Sequence, residues 1–346
     1  MKEWELLTSV EEMEAATAKL LETGSKVGAD SWQQRVKNQT PHCKFGEEGT
    51  CCRICSMGPC RITPKAPRGI CGCDAHGIVG RNYLRFTAGG AAAHSDHGRG
   101  IAHTLYLSEE GGNYQVKDPE KLKRIAVEFG IETEGKELYA LAHEVAEKGL
   151  MEYGKPFGTL IFPKRAPEVR QKIWEDAGIM PRAIDREVSQ SLHMTHMGCS
   201  SLPEALVRQS LRTGLSDGWG GSMMGTEFSD VLFGTPKPVD TEANLGVMDK
   251  ECVNIIIHGH DPSLSEMIVH YAADPDLVAA AKATGAKGIC ISGVCCTSNE
   301  ATMRHGIPMA GNFLQQENVV LTGACEVIVA DVQCIFPSLG PLSKCF

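Results

Sequence analysis

Seven cysteines, Cys43, Cys51, Cys52, Cys55, Cys60, Cys71 and Cys73, fall within 31 residues of a 346-residue chain that holds 15 in all. Cys52-x2-Cys55-x4-Cys60-x10-Cys71 sets four thiols at close, uneven spacing on a segment rich in glycine and proline, whose backbone can wrap a compact cuboidal cluster. Four thiolates complete one iron-sulfur cluster. A zinc site more usually shows two well-separated cysteine pairs, and this segment does not divide that way. Cys43-x7-Cys51 makes half a ligand set. Either a two-fold axis brings a second copy alongside, so that one cluster is held between subunits, or the pair lies in the loop without iron.

A second constellation follows three short apolar runs. His258 and His260 come after VNIII, Cys295 and Cys296 after GICIS, and Cys334 after VIVAD. Open parallel α/β sheets bind ligands at the carboxyl ends of their strands, so three coincident strand ends mark a candidate site. Thiolate and imidazole are both ligands of transition metals. His94, His97 and His103 follow a three-residue spacing with Gly100 at the skipped position. On a helix each such step rises about 4.5 Å and turns back about 60°, so His94 and His97 are neighbours and His103 lies too far on to touch them. Such histidines titrate near neutral pH and can move protons, or they are solvated surface residues.

These residues need elements to position them. Helical patterns cover 10–36, 80–107, 119–129, 135–149, 166–177, 203–211 and 223–233, with Asp118-Pro119 as an N-cap followed by proline at the first helical position. Residues 1–236 therefore read as a helical domain carrying the iron-sulfur loop (43–73) and the histidine file (94–103). Pro236 and Pro238 mark a boundary. Beyond it, the runs 253–257, 288–291, 319–321 and 327–330 alternate with helical stretches, which predicts a Rossmann-like parallel α/β domain over 237–346. The expected fold class is α plus α/β.

A net charge of -9 argues against a nucleic-acid partner. No run of 18 apolar residues occurs, so no membrane span is expected. The acidic, amphipathic start MKEWELLTSVEEMEAATAKL lacks the basic and apolar parts of a signal peptide, which predicts a cytoplasmic protein with reduced thiols.

The segment HCKFGEEGTCCRICSMGPCRITPKAPRGICG (42–72) resembles the catalytic subunit of anaerobic nickel-iron-sulfur carbon monoxide dehydrogenase. The likeness continues through AAAHSDHGRGIAH (91–103), LSDGWGGS (215–222), IIIHGHDPSLSEMI (255–268), GICISGVCCTSNE (288–300) and VIVADVQCIFPS (327–338). The resemblance implies one 4Fe-4S cluster per chain on Cys52, Cys55, Cys60 and Cys71. It also implies a second 4Fe-4S cluster shared by Cys43 and Cys51 across the axis of a homodimer, and leaves Cys73 as a packed residue. His260, Cys296 and Cys334 would bind the nickel-iron-sulfur active cluster, with His258 and Cys295 as neighbours, and Asp217 would lie beside it. The implied reaction is reversible oxidation of CO with water to CO2, two protons and two electrons. Electrons would pass to a ferredoxin-like acceptor, and an acetyl-CoA synthase is a further implied partner.

The family's chains are nearly twice as long, and their C-terminal part supplies three more cysteine ligands and a catalytic lysine. Only 12 residues follow Cys334 here. The expectation is therefore a catalytic subunit with an incomplete active cluster, either completed by a second chain or rearranged in a short form. Two alternatives are a dimeric iron-sulfur electron-transfer protein without CO oxidation, and a hybrid-cluster (hydroxylamine reductase-like) relative. The histidine file and HGHDP argue against the latter.

Overall fold

The computed structural model describes residues 15–346. The start of the helix expected over 10–36 lies outside the described residues. The described residues divide into two compact units, one formed by 15–40 with 236–346 and the other by 41–235. The former takes up again at Pro236. Residues 15–40 group with the C-terminal unit, whereas the sequence pattern places them in the helical domain.

Those residues form α1 (Ala15–Lys26) and α2 (Trp32–Asn38), where one helix was expected. Gly28, in the left-handed region at φ 77°, breaks the run, and Ser31 caps the second helix by accepting from the Gln34 N–H. Leu20 and Leu21 pack against Val320, Leu321, Leu339 and Leu342. The Trp32 N–H and the Arg35 guanidinium both reach the fully buried Glu317 carboxylate.

In the 41–235 unit, the short α3 (Lys44–Glu47) leads to the hairpin strands β1 (Cys51–Cys52) and β2 (Cys60–Arg61). The 32-residue α4 (Ala75–Tyr106) is started by Asp74, whose Oδ1 accepts from the Gly77 N–H at 2.9 Å. Around it pack α6 (Leu138–Gly154), α8 (Ile184–Thr195), α9 (Pro203–Ser216) and α10 (Met223–Phe233), while α5 (Pro119–Glu128) packs on α6 and α10, and α7 (Glu168–Asp176) follows α6. The core holds Leu105, Leu122, Val145, Tyr153, Phe228 and Val231. α8 has no sequence-level counterpart, since Ala183 precedes it and offers no side-chain cap.

Between α9 and α10 the chain winds into a π-helical turn, Asp217–Ser222. That turn lies backbone to backbone on α4. A Cβ on Gly98 would fall 2.5 Å from the Gly221 carbonyl oxygen, and one on Gly221 would fall 2.8 Å from the His94 carbonyl carbon. Only glycine at both places allows this approach.

The second unit contains a four-stranded parallel sheet in the order β5-β4-β3-β6: β3 (Val253–Gly259), β4 (Ile289–Val294), β5 (Met309–Gly311) and β6 (Val327–Ala330). α11 (Pro262–Ala272) and α12 (Pro275–Ala283) join β3 to β4, α13 (Cys295–His305) joins β4 to β5, and α14 (Gln316–Leu321) joins β5 to β6, with α15 (Leu339–Leu342) after β6. Successive residues Ile256 and Ile257 pack into clusters on opposite faces, as a sheet covered on both sides requires. The strand expected over 319–321 is corrected to the helix α14. Its apolar run is too short to distinguish the two by periodicity, and the Asn312–Gln315 capping box starts a helical turn just before it. The edge strand β5 was not expected. Among the described residues no helix is long and apolar enough to cross a membrane.

Phe228 is fully buried, while Phe157 is 83% exposed. Phe228→Ala is expected to lower stability by about 3–5 kcal/mol and Phe157→Ala by less than about 0.5 kcal/mol, as measured by denaturant unfolding.

Candidate functional site

The cysteine loop is built on the β1–β2 hairpin, which sets Cys52 directly opposite Cys60. Cys52, Cys55, Cys60 and Cys71 line one small cavity together with Cys73, Ile78 and Arg81. The Ile70 N–H donates to Cys60 Sγ at 3.4 Å, and Arg81 Nη1 lies 3.9 Å from Cys71 Sγ. Arg81 is itself 3% exposed and fixed by donating from Nε to the Ser200 carbonyl at 2.7 Å.

The two C-terminal cysteines of the loop are held in opposite states. The Cys73 backbone N–H, with the Arg81 guanidinium adding to it against burial, holds the Cys71 thiol below its ordinary value. Burial pushes the Cys73 thiol up. A metal-binding cysteine must be a thiolate, so this environment suits Cys71 as a ligand and Cys73 as a packed residue. Cys43 is exposed and Cys51 is half-buried, and neither lines the cavity.

In the sheet unit, His260 follows β3, Cys295 and Cys296 open α13, and Cys334 lies in the turn after β6. Asp331, at the end of β6, accepts from the backbone N–H groups of His260 at 2.6 Å and Asp261 at 3.1 Å. A Cβ at Gly259 would lie 1.6 Å from Asp331 Oδ1, so glycine is required there. Burial pushes the Asp331 carboxyl up to about 6. Cys295, Gln333 and Cys334 all adopt positive φ, at 69°, 67° and 56°. Such strain in non-glycine residues collects at functional sites.

The thiols sense one another. Burial first, then Cys334 and Cys296, pushes Cys295 up to about 12, and Cys296 is pushed up by burial and then by Cys334. Metal binding here would release protons. His258 is different: fully buried, it has Nε2 at 3.0 Å from Gln316 Oε1 and Nδ1 at 3.4 Å from the Val294 carbonyl, and burial lowers its pKa. Its one N–H is committed to Gln316 inside the protein, which leaves His260 as the better-disposed histidine. Among the described residues no three His, Cys, Asp or Glu side chains form a group that could hold a single metal ion.

The π-helical turn brings Asp217 Oδ1 to 2.8 Å from His94 Nδ1. His97 is 8% exposed beside Gly225, whereas His103 and Gly100 are exposed. The histidine file is therefore uneven: one member is paired, one buried and one in solvent. Asp331, Arg81 and Gln316 were not singled out from the sequence. Asp331 had a signal, being the acidic residue that closes VIVAD at the strand end.

The Asp217 hydrogen bond raises the His94 pKa against partial burial. A raised folded-state value means stability that is present below the ordinary value of 6.5 and lost as pH rises through the folded one. Asp217→Asn should therefore lower the Tm most near about pH 6, with the deficit shrinking at alkaline pH and absent in a His94→Gln background.

Residues 50–346 match the Prismane/CO dehydrogenase family. Carbon monoxide dehydrogenase 1 of Methanosarcina mazei is 50% identical over 339 residues, covering 96% of this chain and 54% of that protein. Carbon monoxide dehydrogenase 1 of Carboxydothermus hydrogenoformans is 44% identical over 338 residues, covering 94% and 52%. A nickel-free crystal structure of carbon monoxide dehydrogenase from Thermococcus sp. AM4 superposes with a TM-score of 0.90 at 46% identity, covering 95% of this chain and 53% of that one. The chain thus spans about half the length of the curated relatives it matches. A family match over residues 50–346 and relatives of this identity show that the chain belongs to the Prismane/CO dehydrogenase family.

Proposed function

We propose that this chain is the part of an anaerobic carbon monoxide dehydrogenase catalytic subunit that carries the electron-transfer cysteines and some of the active-cluster ligands. The reaction would be reversible oxidation of CO with water to CO2, two protons and two electrons. The observation that carries this reading is the cavity lined by Cys52, Cys55, Cys60 and Cys71, with Cys71 favoured as a thiolate. These four would hold one 4Fe-4S cluster, the bound form supplying one-electron transfer. His260, Cys296 and Cys334 would hold part of a nickel-iron-sulfur group, which when bound supplies the redox-active metal for a two-electron step.

The chain's own residues would do the rest. Asp331 orients the backbone that carries His260, and the positive-φ turns hold Cys295 and Cys334 at the sheet's carboxyl edge. His94, with Asp217 accepting at Oδ1, would hold and move a proton at its imidazole, with His97 next along α4 and His103 at its exposed end.

Homodimer formation is part of the proposal. Val79, Tyr83 and Phe86 expose 40%, 54% and 81% of their surface along one face of α4, and Ile70 and Met57 of the cysteine loop are exposed as well. An apolar face of this kind, with Cys43 exposed, supports a two-fold contact in which Cys43 and Cys51 of two chains share a second 4Fe-4S cluster. The acceptor would be ferredoxin-like. A relative from Moorella thermoacetica is named carbon monoxide dehydrogenase/acetyl-CoA synthase subunit beta, and its 44% identity supports an acetyl-CoA synthase partner here. The free cysteines of the described chain fit a reducing, cytoplasmic setting.

The test is iron and nickel analysis with viologen-coupled CO oxidation on anaerobically reconstituted protein. The reading expects about four irons per chain on the loop plus half of a shared cluster. Cys52→Ala with Cys60→Ala should abolish the loop iron, and unchanged iron would sink the assignment. Nickel with turnover supports the enzyme, whereas iron without nickel selects an electron-transfer protein. Phe86→Glu should shift sedimentation from dimer towards monomer.

A further inference from the structure

Every residue of α14 is buried, yet the helix begins with Gln316, Glu317 and Asn318. Buried amides are costly unless their donors and acceptors are used. Gln316 uses both ends of its amide. Oε1 accepts from His258 Nε2 at 3.0 Å and from the Phe336 N–H at 2.7 Å, while Nε2 donates to the Cys334 carbonyl at 2.9 Å and the Phe313 carbonyl at 2.6 Å. One side chain thus grips the backbone at Cys334 and two residues beyond it. Through His258, which pairs with Val294 in the β3–β4 register, it reaches the residue that precedes Cys295. Glu317 adds a second hold further along, accepting from Ser338 Oγ. The gripped turn is the one in which Gln333 and Cys334 both sit at positive φ. A non-glycine backbone stays there only when its surroundings over-determine it.

We propose that Gln316 is a positioning residue: with His258 it holds the Cys334 turn in its left-handed conformation and ties it to the Cys295–Cys296 turn, so that both thiol-bearing turns are in place before metal arrives. The significance for catalysis rests on Cys334 being a ligand of the active cluster; the geometric claim does not. A preorganised ligand set binds its metal without first ordering a loop.

The experiment uses the 346-residue chain, anaerobically purified. Gln316→Met removes every bond, and Gln316→Glu keeps an acceptor oxygen for Phe336. Amide exchange followed by mass spectrometry should show the 332–337 segment opening at least about tenfold faster in Gln316→Met, since two of the lost bonds hold this segment and one buried hydrogen bond alone is worth about that factor. The sheet amides of 254–258 should keep their wild-type rates, and Gln316→Glu, which keeps the acceptor but sets an oxygen against the Cys334 and Phe313 carbonyls, should not restore protection of the segment. In the reconstituted chain, the paramagnetic signal that Cys334→Ser removes should be shifted or broadened by Gln316→Met. Wild-type exchange in 332–337, or an equal acceleration across 254–258, overturns the proposal. If Gln316→Met does not fold, His258→Leu, which removes the donor to Gln316 Oε1, should open 332–337 to a smaller extent, and unchanged exchange there is equally fatal. If Cys334→Ser removes no signal while the exchange result holds, the positioning stands and only the ligand reading of Cys334 falls.

Discussion

The Asp331 carboxylate takes the first two backbone N–H groups beyond β3, and the geometry of the sheet's carboxyl edge follows from that contact. It is possible only because Gly259 has no side chain, since a Cβ there would overlap the carboxylate. The contact joins the end of β6 to the end of β3, so that the His260 segment and the turn bearing Cys334 cannot move independently. Gln316 and His258 perform the corresponding task from beneath, linking Cys334 to the start of α13. Three segments far apart in sequence thereby act as one rigid edge. Polar groups hold them, Gln316 and His258 buried and Asp331 half-buried, and a network whose partners are supplied specifies one conformation.

The cysteine loop solves a different problem. Its backbone is irregular and its strands are two residues long, so a regular ladder cannot position the thiols. Instead Cys52 and Cys60 are paired across the hairpin, and Arg81 reaches across from α4 with its guanidinium fixed on Ser200. A buried arginine beside a thiol stabilises negative charge, and its planar fork can serve a carbonyl and a sulfur together. Cys71 and Cys73, two residues apart, then diverge in character because one faces that cation and a backbone N–H while the other is enclosed by α4.

What the sequence made legible follows the range of the interactions. The candidate loop cysteines stand out because their spacing is local, and β3, β4 and β6 were readable because buried parallel strands are continuous apolar runs. Val319–Val320–Leu321 has the same composition yet is helical, since the choice is made by the capping box at Asn312 and by burial on all sides. The grouping of residues 15–40 with the C-terminal unit was not readable. An amphipathic pattern shows that a face must be covered but not by what, and here the cover is Leu321 and Leu339. The pairing of His94 with Asp217 depends on Gly98 and Gly221 together, two glycines 123 residues apart whose roles appear only when the backbones meet. Gln316 lacked any signal, because its role comes from the fold of three other segments.

The bond from the Trp32 N–H to Glu317 spans 285 residues, and Arg35 closes a similar distance to the same carboxylate. Loop-closure entropy makes such contacts among the slowest to form in a chain. During synthesis the whole of 41–235 emerges before Glu317 does, so the helical unit can collapse around α4 while α1 and α2 still lack their partner. The sheet unit is then assembled from both flanks of an already folded insert. Until that moment the apolar face of α1 is unprotected, and the nascent chain spends the interval between residue 40 and residue 317 in the form most prone to association.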